Sequence, residues 1–273
     1  GGQEAWKWVP ALVVFGMINM AMFAACHECL HNTAFKSRNL NQIALWLGGA
    51  AIIYTPTGFR EFHFAHHRYT HDPERDPEIS FGGRPAPAVT SMLPAYFMFL
   101  TGFPLMMVKA LFVILPSIGP GVIWRFMSWC PKPKRAELRW QARAVFLLHA
   151  GIVTAGILWV PGLLWLQLGQ LLGHCFLTIY ITAEHNGLPH EGDVLTRTRT
   201  IRTNALVRFL MWNMPYHAEH HAYPGVPFHA LPRLNALMAE ELRNQENGYP
   251  GFHGRVLSSL LRGKSFEQRP GEA

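Results

Sequence analysis

Residues 8–26, WVPALVVFGMINMAMFAAC, carry no charged side chain. As a helix this run would extend about 28 Å, close to the thickness of a bilayer's hydrocarbon core. A second apolar run, 144–183, is interrupted only at Pro161 and Gly162, which predicts two membrane helices joined by a tight turn. Such runs constrain the fold strongly, because backbone in lipid must satisfy its own hydrogen bonds. Two further stretches are apolar but poorly suited to a straight helix. Residues 40–59 contain Gly48, Gly49, Pro56 and Gly58, and 92–116 contain Pro94, Pro104 and Pro116 with Lys109 inside.

Composition agrees with a chain divided between lipid and water. Of 273 residues, 49% are hydrophobic and only 15% charged, yet the mean hydropathy is a mild +0.08. Disorder, a collagen-like repeat and a disulfide-stapled secreted scaffold are excluded. The four cysteines, Cys26, Cys29, Cys130 and Cys175, read as buried small residues in a reducing compartment. The net charge of +7 has a distinctive placement: Lys36 and Arg38 follow the first run, while Lys132, Lys134, Arg135, Arg139 and Arg143, and Arg197, Arg199 and Arg202, flank the later ones. This is the pattern of cytoplasmic ends of membrane helices. With no zinc knuckle or RNA-binding signature, nucleic acid is not an expected partner. Trp6, Trp8, Trp124, Trp129, Trp159 and Trp165 fall near run ends, where indoles favour the headgroup layer. The 8–26 run lacks a basic flank and a cleavage site, so it is expected to stay as a spanning helix. The chain reads as one membrane-embedded domain, 1–273, with an N-terminus that looks trimmed at Gly1 and a polar cap from residue 184 that includes a helix near 230–245.

Fifteen histidines are present, and most are clustered: His27 and His31 in CHECLH; His63, His66 and His67 in HFAHHRYTH; His217, His220 and His221 in HAEHH. Spacings of i, i+4 and i, i+3, i+4 put the imidazoles of each cluster on one helix face. A lone HxxxH is more often a packed or surface pair. Three clusters, each beside an apolar run, instead indicate ligands, and eight imidazoles exceed the needs of one metal. His149 and His174, inside apolar runs, read as packed or hydrogen-bonded residues, and His253 as solvated; His71, His190 and His229 stand near clusters. CHECLH also contains HExxH, so a membrane zinc protease using His27, Glu28 and His31 is a rival reading. It leaves both HxxHH clusters without a role.

With HECLH, HFAHH and HAEHH in this order between membrane-length runs, the chain resembles the integral-membrane fatty acid desaturase and hydroxylase superfamily. DPERDPE at 72–78 and NMPYHAEHHAYPGVPFHALPRL at 213–234 resemble segments beside its second and third histidine boxes. The resemblance implies an all-α fold of multi-pass transmembrane helices with interfacial helices and a cytoplasmic cap holding a dimetal site. It implies two non-haem iron ions and O2 as co-substrate. It also implies a ninth ligand from just past the last membrane helix, at His185 in TAEHNGLPH, with His190 as the alternative. The ligand set is then His27, His31, His63, His66, His67, His185, His217, His220 and His221. Some relatives carry an asparagine four residues before the extra histidine; here that position is Ile181. Glu28, Asp72, Asp76, Glu184 and Glu219 are candidate acceptors for the N–H groups of these ligands.

One centre needs all boxes on one membrane face, so an even number of crossings must separate successive boxes. Residues 40–59 should therefore be interfacial or re-entrant, and 92–116 should lie in the interface, leaving 144–160 and 162–183 as the two crossings between the second and third boxes. Residues 15–23 and 164–181 are the expected walls of an acyl slot. The expected reaction is O2-dependent desaturation of a fatty acyl chain, with hydroxylation of an acyl or sphingolipid chain, or carotenoid ring oxidation, as the alternative. Electrons are expected from a separate ferredoxin, rubredoxin or cytochrome b5 type partner. The protein is expected to be multi-pass in a bacterial inner membrane, or the endoplasmic reticulum of a eukaryote.

Overall fold

A computed structural model describes residues 5–119 and 121–267; Gly1 and the Trp6 side chain lie outside the described residues. Among the described residues, eight α-helices make up the body: α1 (Val9–His31), α2 (Arg38–Ala51), α3 (Pro56–Tyr69), α4 (Leu93–Leu100), α5 (Phe103–Ile118), α6 (Ile123–Phe126), α7 (Arg135–Leu158) and α8 (Leu164–His185). The cap follows, with α9 (Val194–Arg197), β1 (Thr200–Arg202), α10 (Ala205–Leu210), α11 (His217–Ala222), α12 (Leu231–Leu237), β2 (Gln245–Asn247) and α13 (Tyr249–Leu261). Helix starts carry the expected punctuation. The Ser37 hydroxyl accepts from the Leu40 amide and that of Thr55 from the Gly58 amide, with Pro56 in the first turn of α3. α1 ends at Asn32, in the left-handed conformation with φ 61°.

Among the described residues, three helices are long and apolar enough to cross a membrane: Val9–His31, Lys132–Leu158 and Pro161–His185. They coincide with the runs read from the sequence. α1 and α8 pack closely, and a side chain at Gly169 of α8 would collide with the Phe15 ring of α1. Val14, Ile18, Leu147, Ile157 and Leu158 are exposed on the helix surfaces, as lipid-facing residues would be. Trp8, Trp159 and Trp165 are exposed at span ends. Trp124 and Trp129 are half-buried, packing on Ile123, Met127, Cys130 and Leu138, because the segment around α6 folds into its own small core.

Residues 40–59 form a re-entrant hairpin. α2 descends beside α1, with Gly48 against Met22 and Cys26, and α3 returns. At the tip, the Ala51 carbonyl accepts from Gln170 Nε2 at 2.7 Å, and Gln170 is about 22 Å along α8 from His185. The Ala50 carbonyl accepts from His149 Nε2 at 2.8 Å, and the Thr57 amide donates to Gln141 Oε1 at 2.8 Å. Polar side chains of the spanning helices thus close the hydrogen bonds that the broken backbone leaves open.

The expectation that 92–116 lies in the interface needs correction. α4 and α5 form a pair bent by 65°. At the bend Gly102 has φ +71° and touches the α8 backbone at His174 and Cys175, so the pair reaches the middle of the span. Lys109 is correspondingly 4% exposed rather than at a polar surface.

In the cap, β1 and β2 pair in parallel, Thr200 with Gln245 and Arg202 with Asn247. Ile201, Phe252, Val256, Leu260 and Phe266 pack with Tyr96 and Ala183 beneath them. The helix expected near 230–245 is shorter, Leu231–Leu237, while α13 was not anticipated. His253, expected to be solvated, donates from Nε2 to the Ile179 carbonyl at 2.8 Å and accepts the Tyr96 hydroxyl at Nδ1 at 2.6 Å.

Candidate metal centre

All nine histidines singled out by sequence meet above the ends of α1 and α8, in two groups. His27, His31, His63, His67 and His220 form one; His66, His185, His217 and His221 form the other. Within each group the candidate ligand atoms lie within 4.8 Å of one another. Helix geometry explains the partition. Residues i and i+4 lie about 40° apart around a helix, whereas i+3 falls about 60° to the other side of i. Each HxxHH cluster therefore sends its i, i+4 pair to one group and its middle histidine to the other: His63 and His67 against His66, His217 and His221 against His220. His190 belongs to neither group; it is exposed, and its Nδ1 donates to the His71 carbonyl at 2.9 Å.

Hydrogen bonds orient three imidazoles of the four-histidine group. His66 Nδ1 lies 3.0 Å from both Asp76 carboxylate oxygens, and His185 Nδ1 lies 2.8 Å from the Arg197 carbonyl. The Thr70 hydroxyl donates to the His66 carbonyl at 3.0 Å, so at 3.2 Å it can only accept from His221 Nδ1. His217 Nδ1 faces Glu184 Oε1 at 3.3 Å. The Nδ1 atoms of His66, His185 and His221 thus each meet an acceptor, which turns Nε2 inward, while His217 Nδ1 faces Glu184 without a hydrogen bond. Inward, His66 Nε2 lies 3.2 Å from His221 Nε2, and His185 Nε2 lies 2.8 Å from His217 Nε2. Four ring nitrogens turned on one point, three of them backed by acceptors on the far side of the ring, are the donor arrangement a cation needs, so the residues fit a metal ion.

The five-histidine group has the same inward convergence, with His63 Nε2 at 3.0 Å from His31 Nε2 and 2.8 Å from His67 Nε2. Its outer support is sparser: His220 Nδ1 and His27 Nδ1 have no hydrogen-bond partner. Burial pushes His63, His67, His217, His220 and His221 well below the ordinary imidazole value, which keeps them in the neutral, metal-binding form. His66 is the exception, since burial is outweighed by the Asp76 carboxylate and its pKa rises to about 9.

The proposed supporting carboxylates divide. Asp76 and Glu184 face group members. Glu28 is 3.7 Å from His27 Nδ1 but accepts from the Thr33 hydroxyl and the Phe228 amide. Asp72 caps the turn at Glu74 and Arg75, and Glu219 bonds Thr200 and Asn235; neither has a described hydrogen bond to a grouped histidine. Thr70 was missed, although it lies four residues after His66 on the same helix face. The Arg197 carbonyl gives no sequence signal at all. Arg199 was read only as a flanking charge; it is fully buried, stacks 4.9 Å over Phe252 and donates to the Ala183 and Asn186 carbonyls, fixing the end of α8 beside His185. The HExxH protease geometry is absent, because Glu28 is held by Thr33 and Phe228 while His27 and His31 share their group with three more imidazoles.

A cavity of about 1010 Å³ opens from this centre, lined by His27, His63, His66, His185 and His217. Its apolar wall includes Phe23, Phe59, Phe112, Val113, Leu177 and Ile181. Half of these, Phe23, Leu177 and Ile181, come from the expected 15–23 and 164–181; Phe59 comes from α3 and Phe112 and Val113 from α5, whose re-entrant paths bring them inward.

Comparison with known proteins agrees with this arrangement. The family profile described as fatty acid desaturase matches residues 6–252. A sphingolipid delta(4)-desaturase of Candida albicans is 24% identical over 253 residues, covering 86% of this chain and 63% of that protein. A sphingolipid delta(4)-desaturase/C4-monooxygenase of Bos taurus is 25% identical over 246 residues, covering 86% and 68%. A dihydrorhizobitoxine desaturase of Bradyrhizobium elkanii is 24% identical over 269 residues, covering 89% and 70%. The chain therefore spans 63% of the Candida relative's length and 58% of that of a Caenorhabditis elegans one.

Proposed function

The chain belongs to the fatty acid desaturase family, and from that premise we propose that it oxidises an unactivated C–H bond of a lipid at a histidine-bound di-iron centre. The observation that carries this reading is the convergence of nine imidazoles, in two groups, at one end of a mostly apolar cavity. Five histidines would hold one iron and four the other. Bound iron supplies the redox chemistry needed to use O2, which zinc does not have. The chain's own residues do the rest. Asp76, Glu184, Thr70 and the Arg197 carbonyl orient the imidazoles of the four-histidine group, and the rings of Phe23 and Phe59 exclude water beside the ligands.

Desaturation is the first reading: one O2, two electrons and two protons convert a CH2–CH2 unit to CH=CH and yield two waters. The relative named both desaturase and C4-monooxygenase favours hydroxylation as the second, in which the same inputs give an alcohol and one water. A sphingolipid-like or other acyl chain is the proposed substrate class. The electrons would come from a small one-electron carrier of the ferredoxin, rubredoxin or cytochrome b5 type. The histidine-bearing end is assigned to the cytoplasm, since Lys36, Arg38, Lys132 and Lys134 border it while the 159–163 turn carries no charge.

The test is expression in a host of known lipid content, with lipids and carotenoids analysed by mass spectrometry and metal measured in the purified protein. We expect about two irons per chain and a new double bond that disappears in His66→Ala and His220→Ala. A single zinc with no lipid product would sink the proposal.

A further inference from the structure

The cavity wall contains one charged group that the oxidation does not use. Lys109 of α5 lines the cavity and is 4% exposed, and its Nζ has no hydrogen-bond partner. The Tyr54 ring lies beside it, its centroid 4.0 Å from the Nζ. Its neighbours along one face of α5, Leu105, Val108, Phe112 and Val113, line the same cavity. The groups that feel its charge are the Cys26 thiol and the His174 imidazole, neither a fixed counter-ion. An amine with three donors, set inside a membrane-depth apolar wall, is costly unless something brings it an acceptor.

Its position relative to the metal centre is set by two rings. The Phe59 ring lies 6.0 Å from that of His63, and Tyr54 stacks on Phe59 at 4.2 Å, so Lys109 sits two ring widths away from the histidines. We propose that Lys109 selects the substrate: it donates to an oxygen that the lipid carries away from the attacked carbon, in the otherwise apolar part of the cavity. The chemistry it recognises is a hydrogen-bond acceptor, whether hydroxyl or carboxylate. A plain hydrocarbon tail would leave the amine unpaired. This inference rests on reading the cavity as the substrate slot, and it reaches beyond that reading by naming what the substrate must bear.

Binding tests it without turnover, so it stands or falls separately from the oxidase chemistry. Purified metal-loaded protein in detergent is filled with an environment-sensitive fluorescent fatty acid. Medium-chain ligands of one length that end in a methyl, a hydroxyl or a carboxylate and carry no other oxygen, an n-alkane, the 1-alkanol and the alkanoate, are then used to displace it. The wild type should bind an oxygen-tipped ligand about tenfold or more tightly than the alkane, the scale of a charge-assisted hydrogen bond. A preference for the hydroxyl identifies an alcohol-type acceptor and one for the carboxylate an acid; either supports the proposal. Lys109→Met, with metal content and thermal stability as folding controls, should erase the preference. Equal binding of all three ligands by the wild type overturns the proposal even if the variant fails to fold. Persistence of the preference in folded Lys109→Met, or a variant that only gains stability, overturns it as well.

Discussion

At the residue scale, the two aspartates of DPERD differ by their contacts rather than their spacing. Asp76 is buried against His66, whereas Asp72 caps an exposed turn. Asp76→Asn should therefore weaken metal retention by the four-histidine group about 10- to 100-fold, measured as metal content after chelator challenge, while Asp72→Asn should leave it unchanged. Acid should unfold the metal-free protein. Unfolded histidines take up protons below about pH 6.5, whereas buried His63, His67, His217, His220 and His221 stay neutral. Each such group costs up to about 1.4 kcal/mol of stability per pH unit as pH falls below 6.5. His66 has the opposite sign, stabilising below its unfolded value and losing that contribution as pH rises through about 9. Five groups against one give a net loss on the acid side, visible as a falling thermal midpoint in metal-free protein. Eight of the nine histidines were legible from their spacing because helical periodicity is local, whereas His185 came only from the resemblance to the family. The acceptors that orient them were only partly legible, since Thr70 follows the same periodicity but a backbone carbonyl such as that of Arg197 has no letter in the sequence.

At the scale of elements, the glycines and Pro56 marked 40–59 as unfit for a straight span, and the need for all boxes on one face made it a segment that turns back. What could not be read was its hydrogen-bond closure, which depends on residues some hundred positions away in α7 and α8. His149→Leu and Gln170→Leu each leave one carbonyl of the hairpin tip, of Ala50 and Ala51 respectively, without its partner at membrane depth. Each should cost about 1–3 kcal/mol, observed by thermal unfolding in detergent. Gly102→Ala should be more severe, because the added carbon meets the α8 backbone at a position with φ +71°. The same bend explains why α5 was misjudged: its prolines and lysine resemble an interfacial helix, and only the approach to α8 turns it inward.

At the scale of the molecule, the three spans put the Lys36–Arg38 segment and the Trp159–Leu163 turn at opposite ends. An accessible cysteine at Arg38, in Arg38→Cys, should be shielded from an impermeant thiol reagent in intact cells, whereas Trp159→Cys should react from outside. Equal labelling of both would refute the assigned sidedness. The cavity also divides into two kinds of wall. α1, α3 and α8 supply both lining and imidazoles, so a change there disturbs the metal centre as well as the cavity. α5 and residues 77–90 supply lining but none of the nine histidines. Descendants of this chain can therefore explore new substrates by mutating those two segments alone, which makes its chemistry conservative and its taste in lipids evolvable.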